Sequence, residues 1–137
     1  KWLCQAKLMS EQADQGQDLI DPQTFSCLQK IGWIKWCFIL SFYFLLRHQA
    51  YVQKNGDDQG FYKECIRRAI QRGGDTDTNA AIVGGMIGAL VGTHNLDEAM
   101  VSKVLTFDCV NPAPHGNPRP DFLSAKRYLL NNVCGLI

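Results

Sequence analysis

Asp75, Thr76, Asp77 and Thr78 set four side chains with oxygen donors in succession, directly after Gly73-Gly74. Carboxylate and hydroxyl oxygens are hard donors that suit magnesium, manganese or calcium. Two carboxylates crowded together repel unless a cation or a proton intervenes. The paired glycines let the backbone turn sharply and let a ligand approach closely. A helix starting here would add its positive end, which favours carboxylates and can also face a phosphate. Ordinary helix capping accounts for Asp and Thr at such a position, but it needs only one or two of the four side chains.

Two better-known acidic motifs do not fit. A calcium-binding helix–loop–helix starting at Asp75 would require glycine at 80 and glutamate at 86, where the chain has Ala80 and Met86. An Asp-x-Asp-x-Thr phosphotransfer motif of the haloacid-dehalogenase type should follow a hydrophobic strand. Here the preceding residues, Arg67 to Gly74, read as a helix end and a turn.

The elements that must hold these residues read as helices. Residues 31–47 are apolar on almost every face, which marks the centre of a bundle or a membrane-associated helix. The run is shorter than the roughly 20 apolar residues a span needs, and Lys35 lies inside it. Asn55 to Gly60 is a turn by composition. A helix over 61–72 follows, with Phe61, Cys65, Ile66, Ala69 and Ile70 on one side and Lys63, Glu64, Arg67 and Arg68 on a solvated face. A helix over 78–91 carries Ala80, Ala81, Gly84, Gly85, Gly88 and Ala89. Each helical glycine costs roughly 0.5–1 kcal/mol relative to alanine, so several together predict close helix packing in the middle of a bundle. Asn95 reads as an N-cap, with Glu98 completing a capping box for a helix over 96–106. Four of the five prolines fall in an extended loop at 111–120, and a last helix is expected over 121–131. Residues 1–20 are polar and glutamine-rich, with a short amphipathic stretch around Trp2, Leu3, Ala6 and Met9. The fold class is therefore all-α, an orthogonal multi-helix bundle. Its expected buried set is Trp33, Ile39, Phe42, Ile66, Ala81, Gly85 and Ile87.

Composition narrows the function classes. The 137 residues are 46% hydrophobic and 20% charged, with a formal net charge of +1. That balance argues against wholesale disorder and gives no electrostatic reason to expect nucleic acid. None of the six cysteines forms a Cys-x-x-Cys pair. Cys37 and Cys65 fall in apolar helical patterns and read as buried, reduced thiols. With no signal-peptide pattern at the start, a cytoplasmic setting is the expectation. His48, His94 and His115 lack ligand spacing and receive no role.

The stretch Arg72-Gly73-Gly74-Asp75-Thr76-Asp77-Thr78-Asn79-Ala80-Ala81-Ile82-Val83-Gly84-Gly85 resembles the C-terminal signature of the ADP-ribosylglycohydrolase family. Gly32-Trp33-Ile34 and Phe38 to Leu46 resemble the long buried helix that precedes it there, and the likeness is strongest over residues 30–92. The resemblance implies an all-α fold with a two-ion magnesium or manganese site. It makes Asp75, Asp77 and Thr78 metal ligands, with Thr76 orienting the loop, and places Gly73, Gly74 and Asp75 against substrate. It implies a hydrolase that removes ADP-ribose from a modified protein or from an ADP-ribose-containing small molecule. The family's Thr-Asp-Asp element and further glutamate have no match here. Asp57-Asp58 lacks the preceding threonine and lies close to the signature.

The chain thus resembles the C-terminal half of a domain of about twice its length, with the catalytic carboxylate expected in a missing N-terminal half. Lack of activity by this chain alone, and self-association through exposed apolar helices, follow as expectations. Two other readings stand beside this one: an inactive remnant serving as a binding module, and a small membrane-associated helical protein built on residues 31–47.

Overall fold

The apolar run in the first half of the chain folds as expected, but in a shifted frame. The computed structural model describes residues 1–21 and 23–106, and there the run becomes helix α2, Lys35–Asn55. Ile31 to Ile34 stay outside the helix because Lys30 and Gly32 take positive φ angles of 53° and 79°. Ile31 and Ile34 are left 67% and 64% exposed, so the apolar run and the helix do not coincide. At the other end α2 continues beyond residue 47 because Ala50, Tyr51 and Val52 keep an inner face half-buried. Gly56, at φ 89°, ends it, its amide donating to the Val52 carbonyl at 2.8 Å.

Every regular element among the described residues is helical. Helix α1, Trp2–Asp14, precedes α2; α3, Phe61–Gln71, and α4, Thr76–Val91, follow it. The chain divides into two compact units, Lys1–Leu96 and Asp97–Ile137. In the first, α1 packs on α2, and α4 packs on both α2 and α3. Ala6 and Met9 of α1 are buried, as are Ile39, Leu40, Tyr43 and Phe44 of α2. Phe61, Cys65, Ile66 and Ala69 of α3 and Val83, Ile87 and Val91 of α4 complete the core. Burial pushes the Cys27 thiol up to about 11 and also raises Cys37 and Cys65, so these buried cysteines stay protonated. No helix among the described residues is long and apolar enough to cross a membrane.

The expected burial of α4 needs correction. Asn79, Val83, Gly84, Ile87 and Val91 face inward, whereas Ala81, Ile82, Gly85, Ala89 and Leu90 are exposed. The small residues serve one face only. A Cβ on Gly84 would lie 3.1 Å from both Ile66 and Tyr62, and one on Gly88 would lie 3.5 Å from Tyr62, while Gly85 has nothing within 4 Å. Trp33 and Phe42 are half-buried, and Ile39, Ile66 and Ile87 are buried as expected.

In the second unit, α5 spans Glu98–Leu105 and is capped by Asp97, whose Oδ1 accepts from the Met100 amide at 2.9 Å. The predicted cap, Asn95, lies instead in a short 3₁₀ turn, Thr93–Asn95, and its side-chain amide donates to the Val91 carbonyl. The predicted proline-rich loop and last helix lie outside the described residues.

Asp18 fastens the α1–α2 connection to α3. Its Oδ1 accepts from the Ile20 amide and the Tyr43 hydroxyl, both at 3.0 Å, and its Oδ2 pairs with Arg68 at 2.5 Å. Burial alone would raise Asp18, but Arg68 and these donors outweigh it and hold the carboxyl below its ordinary 3.8. A depressed folded value contributes stability above the unfolded value, and that contribution is lost as pH falls through the folded one. Because Asp18 is 51% exposed, screening limits its ion pair to about 1 kcal/mol. Urea titrations of Asp18→Asn should therefore show a deficit of that order near neutral pH that closes below pH 3.8. A deficit unchanged by acid would mean that the ion pair contributes nothing.

Candidate functional site

Gly73 and Gly74, at φ 71° and 73°, reverse the chain after α3 and bring Asp75 to the start of α4. Asp75 holds the N-cap position, and its carbonyl accepts the Asn79 amide at 3.0 Å. Its side chain, however, makes no capping hydrogen bond. Capping therefore does not account for this carboxylate. It lies beside Gly32, where a Cβ would be 3.8 Å from Asp75 Oδ2.

Asp77 follows on the exposed first turn. The Asp75 carboxyl within hydrogen-bonding reach, together with the amides of Thr78 and of Asp77 itself, holds Asp77 below the ordinary carboxylate range. The two acids thus fall at one helix start. Thr76 is half-buried, and Thr78 is exposed in the same turn. A pair of hard carboxylates at a helix's positive end, with hydroxyls beside it, suits a hard divalent cation. The donor set is partial. Among the described residues no group of three or more His, Cys, Asp or Glu could hold a metal ion.

The structure also supplies what sequence reasoning missed, a strap of residues 18–21 and 23–32 laid across the glycine turn. The Cys27 amide donates to the Arg72 carbonyl at 2.9 Å. A Cβ on Gly74 would overlap the Cys27 carbonyl, and one on Gly73 would sit 3.0 Å from Leu28. The close approach these glycines permit is therefore made, on this side, by the chain's own backbone. Arg72 is 2% exposed and donates through Nη1 to the Ile20 carbonyl at 2.6 Å. Trp36 Nε1 closes the far end of the strap onto the Gln29 carbonyl at 2.9 Å. No periodicity marks such a strap. The one usable signal was the glycine pair, which says that something comes close without saying what.

Comparison with known proteins gives one positive result: the family model described as ADP-ribosylglycohydrolase matches residues 2–127. That match extends well beyond the stretch over which the sequence resemblance was strongest. No curated protein and no solved structure matches the chain.

Proposed function

Because the chain belongs to the ADP-ribosylglycohydrolase family, we propose that its chemistry is metal-assisted hydrolysis of the bond between ADP-ribose and an acceptor, with Asp75, Asp77 and Thr78 as ligands. The observation that supports this reading is that Asp75 and Asp77 share a helix start where the Asp75 side chain does no capping. Magnesium or manganese, when bound, would orient a ribose and make water nucleophilic near neutral pH. The chain's own part is positional. The strap fixes the Gly73-Gly74 turn, and the turn fixes the spacing of the two carboxylates. Backbone at Gly73, Gly74 and Asp75 would then meet the substrate on the side away from Cys27. The substrate class is an ADP-ribosylated protein or an ADP-ribose-containing small molecule. Two octahedral ions need more donors than these three residues offer, so further carboxylates must complete the site.

Paramagnetic broadening by manganese tests the assignment even where affinity is weak. Amide resonances of residues 74–79 should broaden first in the full chain, and Asp77→Ala should abolish this while leaving the helical circular dichroism unchanged. Broadening spread evenly over surface carboxylates, or unaltered in Asp77→Ala, would remove the metal assignment.

A further inference from the structure

We infer that the bend at residues 28–36 docks this protein on an anionic phospholipid surface. All three tryptophans of the chain meet there. The Trp33 ring stands edge-on to Trp2 and to Trp36, with centroids 6.1 Å and 5.3 Å away. Each indole is only half-buried. On either side of Trp33, Ile31 and Ile34 are 67% and 64% exposed, and Leu28 is 64% exposed. The backbone fixes this bend, since Lys30 and Gly32 take positive φ and the Trp33 amide donates to the Lys30 carbonyl at 3.0 Å. Single apolar residues scattered on a surface mean little, but aliphatics that adjoin an indole cluster form a patch.

The charge around the patch selects its occupant. Lys30 Nζ lies 4.7 Å from the centre of the Trp33 ring, and Lys35 Nζ lies 5.0 Å from it. Neither of these lysines, nor Lys1 beside Trp2, forms an ion pair among the described residues. No Asp or Glu occurs between Asp21 and Asp57. The carboxylates to set against the lysines are Asp75, which lies beside Gly32, and Asp77 on the first turn of α4. Glu11, Asp14 and Asp18 are already paired with Lys7, Arg47 and Arg68. Three unpaired cations thus stand against two carboxylates, and two of the three lie over the indole ring itself.

The indoles also keep donors. Trp36 Nε1 is taken by the Gln29 carbonyl, but Nε1 of Trp2 and of Trp33 has no hydrogen-bond partner among the described residues. Indole and lysine each join an apolar body to a polar tip, which suits the boundary between headgroups and acyl chains. An anionic lipid surface answers all three features at once. Acyl chains receive the aliphatics, ester and phosphate oxygens receive the indole N–H groups, and the headgroup charge meets the lysines.

Because every tryptophan lies in the patch, the fluorescence of the full chain reads docking directly. Vesicles of phosphatidylglycerol and phosphatidylcholine in equal parts should shift the emission to the blue, and brominated acyl chains should quench it. The buffer holds EDTA, so the outcome is independent of the metal assignment. Vesicles of phosphatidylcholine alone should bind at least about tenfold more weakly. Ile31→Ser with Ile34→Ser should cost about tenfold or more in affinity while leaving the helical circular dichroism unchanged, since both side chains are exposed. Lys30→Gln with Lys35→Gln should cost about tenfold on the anionic vesicles and nothing on pure phosphatidylcholine. Leu90→Ser, at an exposed position of α4, should change nothing. No blue shift with anionic vesicles, or equal binding by the isoleucine variant, would overturn the inference. So would a blue shift that grows with protein concentration without vesicles, which would assign the patch to a second copy. A response to polyglutamate but not to vesicles would overturn it in favour of an acidic protein.

Discussion

Replacing Gly74 with alanine should lower the stability of this chain by about 3 kcal/mol, a large share of what a small domain possesses. Two separate costs add. Gly74 sits at φ 73°, where an L-residue pays roughly 1–2 kcal/mol for the contact between its Cβ and the backbone. The new methyl would also overlap the Cys27 carbonyl oxygen, a backbone atom that cannot swing aside. Relieving that overlap means moving the strap away from the turn, which costs typically 1–3 kcal/mol when a packed neighbour must shift. The control is Gly85→Ala. Gly85 is an exposed glycine inside α4 with nothing within 4 Å of an added Cβ. There alanine should stabilise by roughly 0.5–1 kcal/mol through helix propensity and the entropy of the unfolded chain. Urea unfolding of both variants reads the contrast directly. If Gly74→Ala costs no more than a few tenths, the strap does not lie against the turn as described. If Gly85→Ala destabilises, that face of α4 is covered by something in solution.

Gly74 reads in the sequence as a turn glycine and Gly85 as a buried helical one, and the different fates of these two expectations show which level of structure was legible. Helix existence along α2, α3 and α4 was readable because apolar periodicity and glycine punctuation are local signals. The placement of Asp75 and Asp77 at a helix start was readable for the same reason, since the glycine pair before them is local punctuation. Which face of α4 turns inward was not. Gly85 is the same residue as Gly84, and only the positions of Tyr62 and Ile66 beside Gly84 separate them. The shift of α2 by several residues has a similar origin. Its apolar run begins before the helix does, because positive φ at Lys30 and Gly32 sends Ile31 and Ile34 along the strap. Asp97 displaced Asn95 as a cap although both are good cap residues, because Asn95 closes a 3₁₀ turn and Leu96 is extended, so that the helix starts only at Glu98. The strap itself joins residues some fifty positions apart, the separation of Ile20 from Arg72, and no local pattern encodes such a contact.

Arg72 is where that long-range contact can be measured. Its Nη1 donates to the Ile20 carbonyl, while its Nε is buried without a hydrogen-bond partner. Burial and then the neighbouring Arg68 cation push the Arg72 guanidinium below its usual range, while Asp21, Cys27 and Asp18 act the other way. The side chain therefore carries a desolvation cost alongside its hydrogen bond and its packing. Arg72→Ala removes the hydrogen bond, leaves the Ile20 carbonyl with only its longer bond from Arg68 Nη2 at 3.2 Å, and opens a cavity beneath the strap. A hydrogen bond to a charged group contributes about 1.5–3 kcal/mol, so with the lost packing the variant should fall by roughly 3 kcal/mol. Arg72→Met removes the same hydrogen bond but fills the space and relieves the buried charge. Replacing a buried cation with an apolar side chain of similar length is often nearly neutral, so the loss should shrink to about 1 kcal/mol. If methionine and alanine lose equally, the hydrogen bond to Ile20 dominates and packing adds nothing. Hydrogen exchange separates these effects from global unfolding, because the Cys27 amide, which donates to the Arg72 carbonyl, should lose protection in Arg72→Ala before the amides of α2 do.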